Sequence, residues 1–304
     1  MSSKPNGSTQ DRRNPDTRHI DRLATGDMLA LMNQQDRGVC EAIAACLPDI
    51  TRLVDNASAT ANRGGRVVCI GAGASGLAAV RFASGFAQGA THPLVAIMAG
   101  GDQARNAEQN MAAGSEARGV SDLQGIRFTA NDMLVALSVS GETPWICGAQ
   151  RYAMSLGARV ALVCRNRGSA AARLADIVLA PETGAEVISG FAEPKAELAR
   201  QQILNMLGTG LAVRTGRVYS NLRVDIQPTD THWAERQIAV VMAAAQCSRE
   251  QAKQALSASD GEGRAAILML LSGLSAGQAK LLLAENHHHL RIALREANVQ
   301  AAAL

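Results

Sequence analysis

Short continuous apolar runs alternate with helix-length stretches from about residue 66 onward. VVCIG (67–71), LVAIM (94–98), MLVALS (133–138) and ARVALVC (158–164) are rich in β-branched side chains, and the first is bounded by glycines. Unbroken apolarity of this length suits strands covered on both faces. DIVLAP (176–181) reads as a fifth strand, with a shorter helix before it. Residues 75–88, 103–113 and 143–156 have helix length and fill the gaps. Strand and helix in alternation predict an α/β fold, a doubly wound parallel sheet with helices on both faces. The loops that follow the strands then share the carboxyl edge of the sheet, where ligands of open α/β sheets bind.

The flanks read differently. Residues 1–13 are polar and charged, a composition that frays. Over 25–63 the apolar positions Met28, Leu29, Leu31, Met32, Val39, Ile43, Leu47, Ile50, Leu53 and Val54 recur at helical spacing. Two helices are expected there, with Pro48 at or near their boundary. Another helical stretch covers 192–215. After the polar bridge SNLRVDIQPTDT, a helical tail begins near His232, expected as three or four short helices broken by Gly261, Gly263, Gly273 and Gly277. The division expected is an N-terminal arm and helix (1–50), the α/β domain (51–228) and a C-terminal helical bundle (229–304).

Composition narrows the function. The 304 residues are 47% hydrophobic and 19% charged, which excludes a chain disordered throughout. With 30 Lys and Arg against 27 Asp and Glu, the formal charge is only +3, and aromatic residues are 3%. Little is left for stacking bases, so nucleic acid is not an expected partner. The six cysteines are scattered without metal-knuckle or disulfide spacing, which predicts reduced thiols in a cytoplasmic protein and no metal site. The opening MSSKPNGSTQDRRNP lacks the apolar core of a secretory signal, and no apolar stretch has bilayer-spanning length, so no membrane association is expected.

Two loops carry candidate chemistry. The first strand runs into IGAGASG, with Gly71, Gly73, Ser75 and Gly76. A glycine-rich turn ahead of a helix lets backbone N–H groups and the positive helix end meet an anion, and phosphate is the natural guest. A dinucleotide reading of the same glycines fails, because the next strand ends in IMAGGD without the acidic residue a ribose needs. No cofactor is expected. The third strand ends in LSVSGETP, placing Ser138, Ser140, Gly141 and Thr143 at a helix start. One serine would be enough for a helix cap; two serines and a threonine facing a second Gly/Ser loop suggest a phosphoester site.

These loops, G-x-G-x-S and S-x-S-G-E-T, resemble the phosphosugar-binding loops of sugar isomerase (SIS) domains. RNPDTRHIDRL, GGRVVCIGAGASG, LNMLGTGLAVRTGRVYSNLRVDIQPT and AAILMLLSGLSAGQAKLLL resemble one family more closely, the N-acetylmuramic acid 6-phosphate etherases, over nearly the whole chain after about residue 11. The resemblance implies a cytoplasmic homodimer, free of metal, that removes the D-lactyl ether of N-acetylmuramate 6-phosphate during cell-wall recycling. The elimination needs a base and an acid, roles the family gives to glutamates. At those positions this chain reads Gly85 and Asn110. Of the polar groups in the family's G-S-T-R-L-K-A-G-T only the lysine survives, as Lys195, and two new carboxylates appear, Glu193 and Glu197.

Three functions follow. A sensor would keep the phosphate loops without the proton-transfer groups. A working etherase would have relocated its acid and base, with Glu193 or Glu197 as candidates. An aldose–ketose isomerase of a sugar phosphate would use one such carboxylate. Other conspicuous residues have plainer readings. His287, His288 and His289, as helix neighbours about 100° apart, could give a metal no more than one ligand. Trp145 is expected to pack its helix against the sheet, and His232 with Arg236 could contact a sugar or form a surface pair.

Overall fold

The computed structural model describes residues 13–86, 93–101, 111–190 and 192–302. They form two compact units. The first takes in the described residues up to Thr60, together with Gly65–Ala83 and Leu94–Leu207; the second takes in Ala61–Gly64, the described part of 84–93 and the chain from Gly208.

The first unit is built on five parallel strands, β1 (Val67–Gly71), β2 (Leu94–Met98), β3 (Met133–Leu137), β4 (Arg159–Val163) and β5 (Ile177–Leu179), in the order β2-β1-β3-β4-β5. The three central runs, β1, β3 and β4, are buried almost throughout, as their unbroken apolarity requires. Gly71 pairs with Leu137 at the carboxyl ends of β1 and β3. The chain leaves β1 outward to β2 and returns to β3 on the other side, so the order reverses between β1 and β3. That reversal sets the loops after these two strands side by side, the crevice where doubly wound sheets bind ligands.

Helix α1 (Thr25–Asn62) is one helix of 38 residues, not the expected two. Pro48 lies inside it. Both Pro48 and Ala44, whose carbonyl loses its N–H partner, are exposed, so water can satisfy the freed carbonyl and the helix continues. Helices α2 (Gly73–Phe86) and α4 (Pro144–Ser155) follow β1 and β3 as expected, and α5 (Pro194–Arg214) begins after β5. Helix α3 (Glu116–Gly125) was not expected. Its buried positions are Gly119 and Leu123, and a glycine adds nothing to an apolar period. Most of 103–113 lies outside the described residues; its end enters a 3-10 turn, Met111–Gly114.

Glycines set the crossing of α3 and α4. A β-carbon on Gly119 would stand 2.1 Å from the Trp145 carbonyl oxygen, and one on Gly148 would stand 2.2 Å from that of Glu116. Backbone cannot yield as a side-chain tip can. Gly148→Ala is therefore expected to cost about 1–3 kcal/mol by forcing the helices apart. Chemical denaturation measures it, and a midpoint unchanged from wild type would refute the close-approach account.

In the second unit a short hairpin, β6 (Val218–Tyr219) with β7 (Leu222–Arg223), precedes α6 (Thr231–Ala245), α7 (Arg249–Ala258), α8 (Gly263–Ser272), α9 (Ala276–Glu285) and α10 (Leu290–Ala302). Five helices stand where three or four were expected. Ser248 with Gln251 and Ser275 with Gln278 form reciprocal capping boxes at the starts of α7 and α9. Gly273 ends α8 in the left-handed region, but Gln246 does the same for α6 without a glycine to announce it. His287 and His288 also take positive φ, of 50° and 61°, so the histidine run is a turn between α9 and α10 and not a helix. Among the described residues no helix alone is long and apolar enough to cross a membrane; α8 and α9 reach that only as a pair bent by 110°.

Candidate functional site

A cavity of about 520 Å³ opens at the point where the strand order reverses. The start of α2 contributes Ala72, Ala74 and Ser75, the β3–α4 loop contributes Ser138, Val139, Ser140 and Thr143, and the start of α5 contributes Glu193, Glu197 and Arg200. Ser75, Ser138, Ser140 and Thr143 thus come together as the sequence predicted. The glycines shape the loops and do not line the cavity. A β-carbon on Gly76 would fall 2.7 Å from the Gly71 carbonyl oxygen and 2.3 Å from Cγ of Met98, so glycine lets α2 start against the sheet. Gly73 and Gly141 have φ of +52° and +71°. Gly141 also lies against Ser169, whose Oγ would be 2.1 Å from an added β-carbon.

The β3–α4 loop is held from behind. Arg165 N donates to the Val139 carbonyl at 3.0 Å, Ala171 N to the Gly141 carbonyl at 2.9 Å, and Ala170 N to Oε1 of Glu142 at 3.1 Å. Glu142 therefore braces the loop from outside the cavity. Inside it, Ser138 Oγ accepts from Gly141 N at 3.1 Å and shares a proton with Thr143 Oγ1 at 3.1 Å. Thr143 occupies the cap position of α4 without capping it; its hydroxyl faces Ser138 instead. Ser140 Oγ accepts from Glu142 N at 3.2 Å. Its own proton can still point at a guest.

Two features around the start of α5 were not expected from the sequence. Glu186, buried before the helix, accepts from Lys195 N and Ala196 N at 3.1 Å each and so anchors the first turn. Arg200, with 8% of its side chain exposed, donates from Nη1 to Ser75 Oγ at 3.0 Å and from Nη2 to Glu197 Oε1 at 3.4 Å. The spacing Glu193, Glu197, Arg200 marks one helix face and would have pointed to it. Lys195 is placed elsewhere. It is buried, and its ammonium donates to the Ala185 carbonyl at 3.1 Å, outside the cavity lining. The N-terminal arm closes on the same loop, with Thr17 Oγ1 donating to the Val187 carbonyl at 2.7 Å.

Glu193 lies 3.9 Å from Arg165 Nη1 and is about one-third exposed. Burial pushes its carboxyl above the ordinary range, and the nearby carboxylates of Glu186 and Glu197 add to this against the opposing pull of Arg165 and Arg200. A carboxyl poised in this way can hold or give up a proton close to a bound ligand. Gly85 lies in the last turn of α2, exposed, with no atom of the described residues within 4 Å of where a β-carbon would stand. Asn110 lies outside the described residues.

Trp145 packs as expected, 1% exposed, with Nε1 donating to Asp122 Oδ2 at 2.8 Å. His232 and Arg236 both flank the Trp233 ring, Arg236 at 5.4 Å from its centroid. All six cysteines are unpaired, and among the described residues no three of His, Cys, Asp and Glu cluster to share a metal ion.

No family model matches the chain. It is 42% identical over 294 residues to the N-acetylmuramic acid 6-phosphate etherase of Photorhabdus laumondii, spanning 94% of this chain and 96% of the relative. The protein of that name from Klebsiella aerogenes is 42% identical over 287 residues, covering 93% and 96%. That from Psychromonas ingrahamii is 40% identical over 299 residues, covering 96% and 98%. Solved phosphoheptose isomerases are more distant. The Francisella tularensis structure is 20% identical with a TM-score of 0.49, covering 62% of this chain and 98% of its own. The Neisseria gonorrhoeae structure is 16% identical with a TM-score of 0.47, covering 61% and 97%. Identity near 40% along almost the full length of both partners settles kinship: the chain, built on a five-stranded parallel α/β sheet, belongs to the N-acetylmuramic acid 6-phosphate etherase family.

Proposed function

We propose that the cavity binds the phosphate of an amino-sugar 6-phosphate of the N-acetylmuramate type, and that proton transfer is weakened or lost in this member of the family, leaving a sensor of cell-wall amino sugars. The observation that carries the binding half is the convergence of Ser75 with Ser138, Ser140 and Thr143 at two helix starts around open space. Hydroxyls and N-terminal amides there can surround a phosphate with directed bonds. The names of the relatives supply the sugar. The second half rests on Gly85, where the family pattern has glutamate, and on Asn110, whose amide exchanges no proton near neutral pH.

Glu193 favours a second reading, an active D-lactyl ether lyase with a relocated acid or base. It lines the cavity with a raised pKa, whereas Glu197 is engaged by Arg200. An aldose–ketose isomerase would draw on the same carboxyl. The homodimer belongs to this proposal, supported by Leu198 and Met206, which stay exposed on α5. The cytoplasm belongs to it as well, supported by the six unpaired thiols.

Calorimetric titration with N-acetylmuramate 6-phosphate and N-acetylglucosamine 6-phosphate tests the binding; silence with both removes the substrate class. A lactate-release assay tests the chemistry. Each missing acid or base forfeits about 10² to 10⁴ in rate, so wild type is expected to be slow. Gly85→Glu with Asn110→Glu is expected to raise the rate, and none of the described residues stands against a side chain at Gly85. Lactate release by wild type at the rate of a relative, abolished by Glu193→Gln, would establish the lyase instead. Interconversion of a ketose phosphate would establish the isomerase.

A further inference from the structure

Among the described lining residues Arg200 alone carries a positive charge, and it is poorly matched where it stands. A guanidinium this far out of water needs strong partners. Its hydrogen bonds are to one hydroxyl, Ser75 Oγ, and, at a long 3.4 Å, to Glu197, whose side chain is 51% exposed; Glu193 adds only a charge without a hydrogen bond. Arg200 lines the same cavity as Ser138, Ser140 and Thr143. A planar fork of donors beside a ring of hydroxyls is the arrangement that grips a phosphate through two oxygens.

We propose that Arg200 is the charge partner of the ligand's phosphate, and that Glu197 holds the guanidinium until the phosphate replaces it. This rests on the phosphosugar reading above and adds to it, since hydroxyls and amides alone could bind the ester. An anion bonded to Ser75 Oγ is within reach of Nη1, 3.0 Å from that oxygen, so the two donors can share one phosphate oxygen. The carboxylate of Glu197 then turns out to solvent, where half of it already lies.

The test is titration of N-acetylglucosamine 6-phosphate, unphosphorylated N-acetylglucosamine and inorganic phosphate into wild type, Arg200→Gln and Glu197→Gln. Arg200→Gln is expected to lose about 10- to 100-fold in affinity for the phosphosugar and for phosphate, the span of a hydrogen bond to a charged group. Glu197→Gln frees the guanidinium and is expected to tighten both about two- to fivefold. Neither variant should change what the unphosphorylated sugar does. Should Arg200→Gln fail to fold, Glu197→Gln decides alone: unchanged or weaker phosphate binding overturns the inference. Wild-type affinity in a folded Arg200→Gln also overturns it while leaving the phosphosugar reading in place. Absence of any binding by wild type overturns both.

Discussion

A Ser140→Asp variant is expected to bind N-acetylglucosamine 6-phosphate at least about a hundredfold more weakly than wild type while melting at the same temperature. Ser140 is exposed at the tip of the β3–α4 loop, and its Oγ accepts from Glu142 N at 3.2 Å. An aspartate oxygen can accept the same bond, because Asp and Ser close this turn in the same way. A carboxylate just ahead of α4 also suits the positive end of the helix. Nothing in the folded protein therefore opposes the substitution. The ligand does. A fixed negative charge would stand where a dianion must sit, and like charges set together cost several kcal/mol, of which about 2.8 kcal/mol is already a factor of a hundred. Ser140→Ala, which removes one neutral hydrogen bond, is expected to weaken binding only about two- to tenfold. Equal affinity for wild type and Ser140→Asp would place the phosphate elsewhere.

The steepness of that contrast depends on a site whose hydroxyl half was legible in the chain and whose charged half was not. Five apolar runs mark the strands because parallel strands are buried on both faces, so the signal is unbroken apolarity. Ser75, Ser138, Ser140 and Thr143 follow at once, since two turns next to glycine end two of those strands. Which strands are neighbours was not legible; pairing is long-range, and only the order β2-β1-β3-β4-β5 sets the two turns side by side. Arg200 was not expected because it lies sixty residues beyond Ser140, inside a helical stretch that carries no ligand motif. Lys195 shows the opposite case. A surviving family lysine suggested a ligand contact, but Lys195 is not among the cavity-lining residues and its ammonium donates to the Ala185 carbonyl. Pro48 misled through a local rule, that proline ends helices, which gives way where the unpaired carbonyl meets water.

At the opposite edge of the sheet from the cavity, Asp132→Ala is expected to cost about 3 kcal/mol and to lower the melting temperature by about 6–12 °C. Asp132, just before β3, is buried and accepts five hydrogen bonds: from Arg66 N at 2.8 Å, Arg66 Nε at 3.1 Å, Arg66 Nη2 at 2.8 Å, Thr129 N at 2.9 Å and Thr129 Oγ1 at 3.4 Å. The carboxylate thereby ties the start of β1 to the start of β3 and fixes the register that carries both loops. Alanine would leave two backbone donors and a guanidinium without their acceptor. Asp132→Asn keeps the shape, removes the charge and turns one accepting oxygen into an amide donor facing the Arg66 or Thr129 donors, so a loss close to that of alanine is expected. Burial by itself would raise this carboxyl, but the Arg66 and Thr129 donors with the Arg66 charge outweigh burial and hold it below the ordinary range. A folded pKa below the unfolded one adds stability at every pH above the unfolded carboxylate value, about 3.9. That stability disappears as pH falls through the folded value. The gap in melting temperature between wild type and Asp132→Asn should accordingly be full at pH 7 and shrink below about pH 4. A gap that stayed constant through that range would mean that charge has no part in joining β1 to β3. Because β1 and β3 span five residues, about 16 Å, between this pair and the cavity, phosphosugar affinity should survive the substitution at temperatures where the variant remains folded.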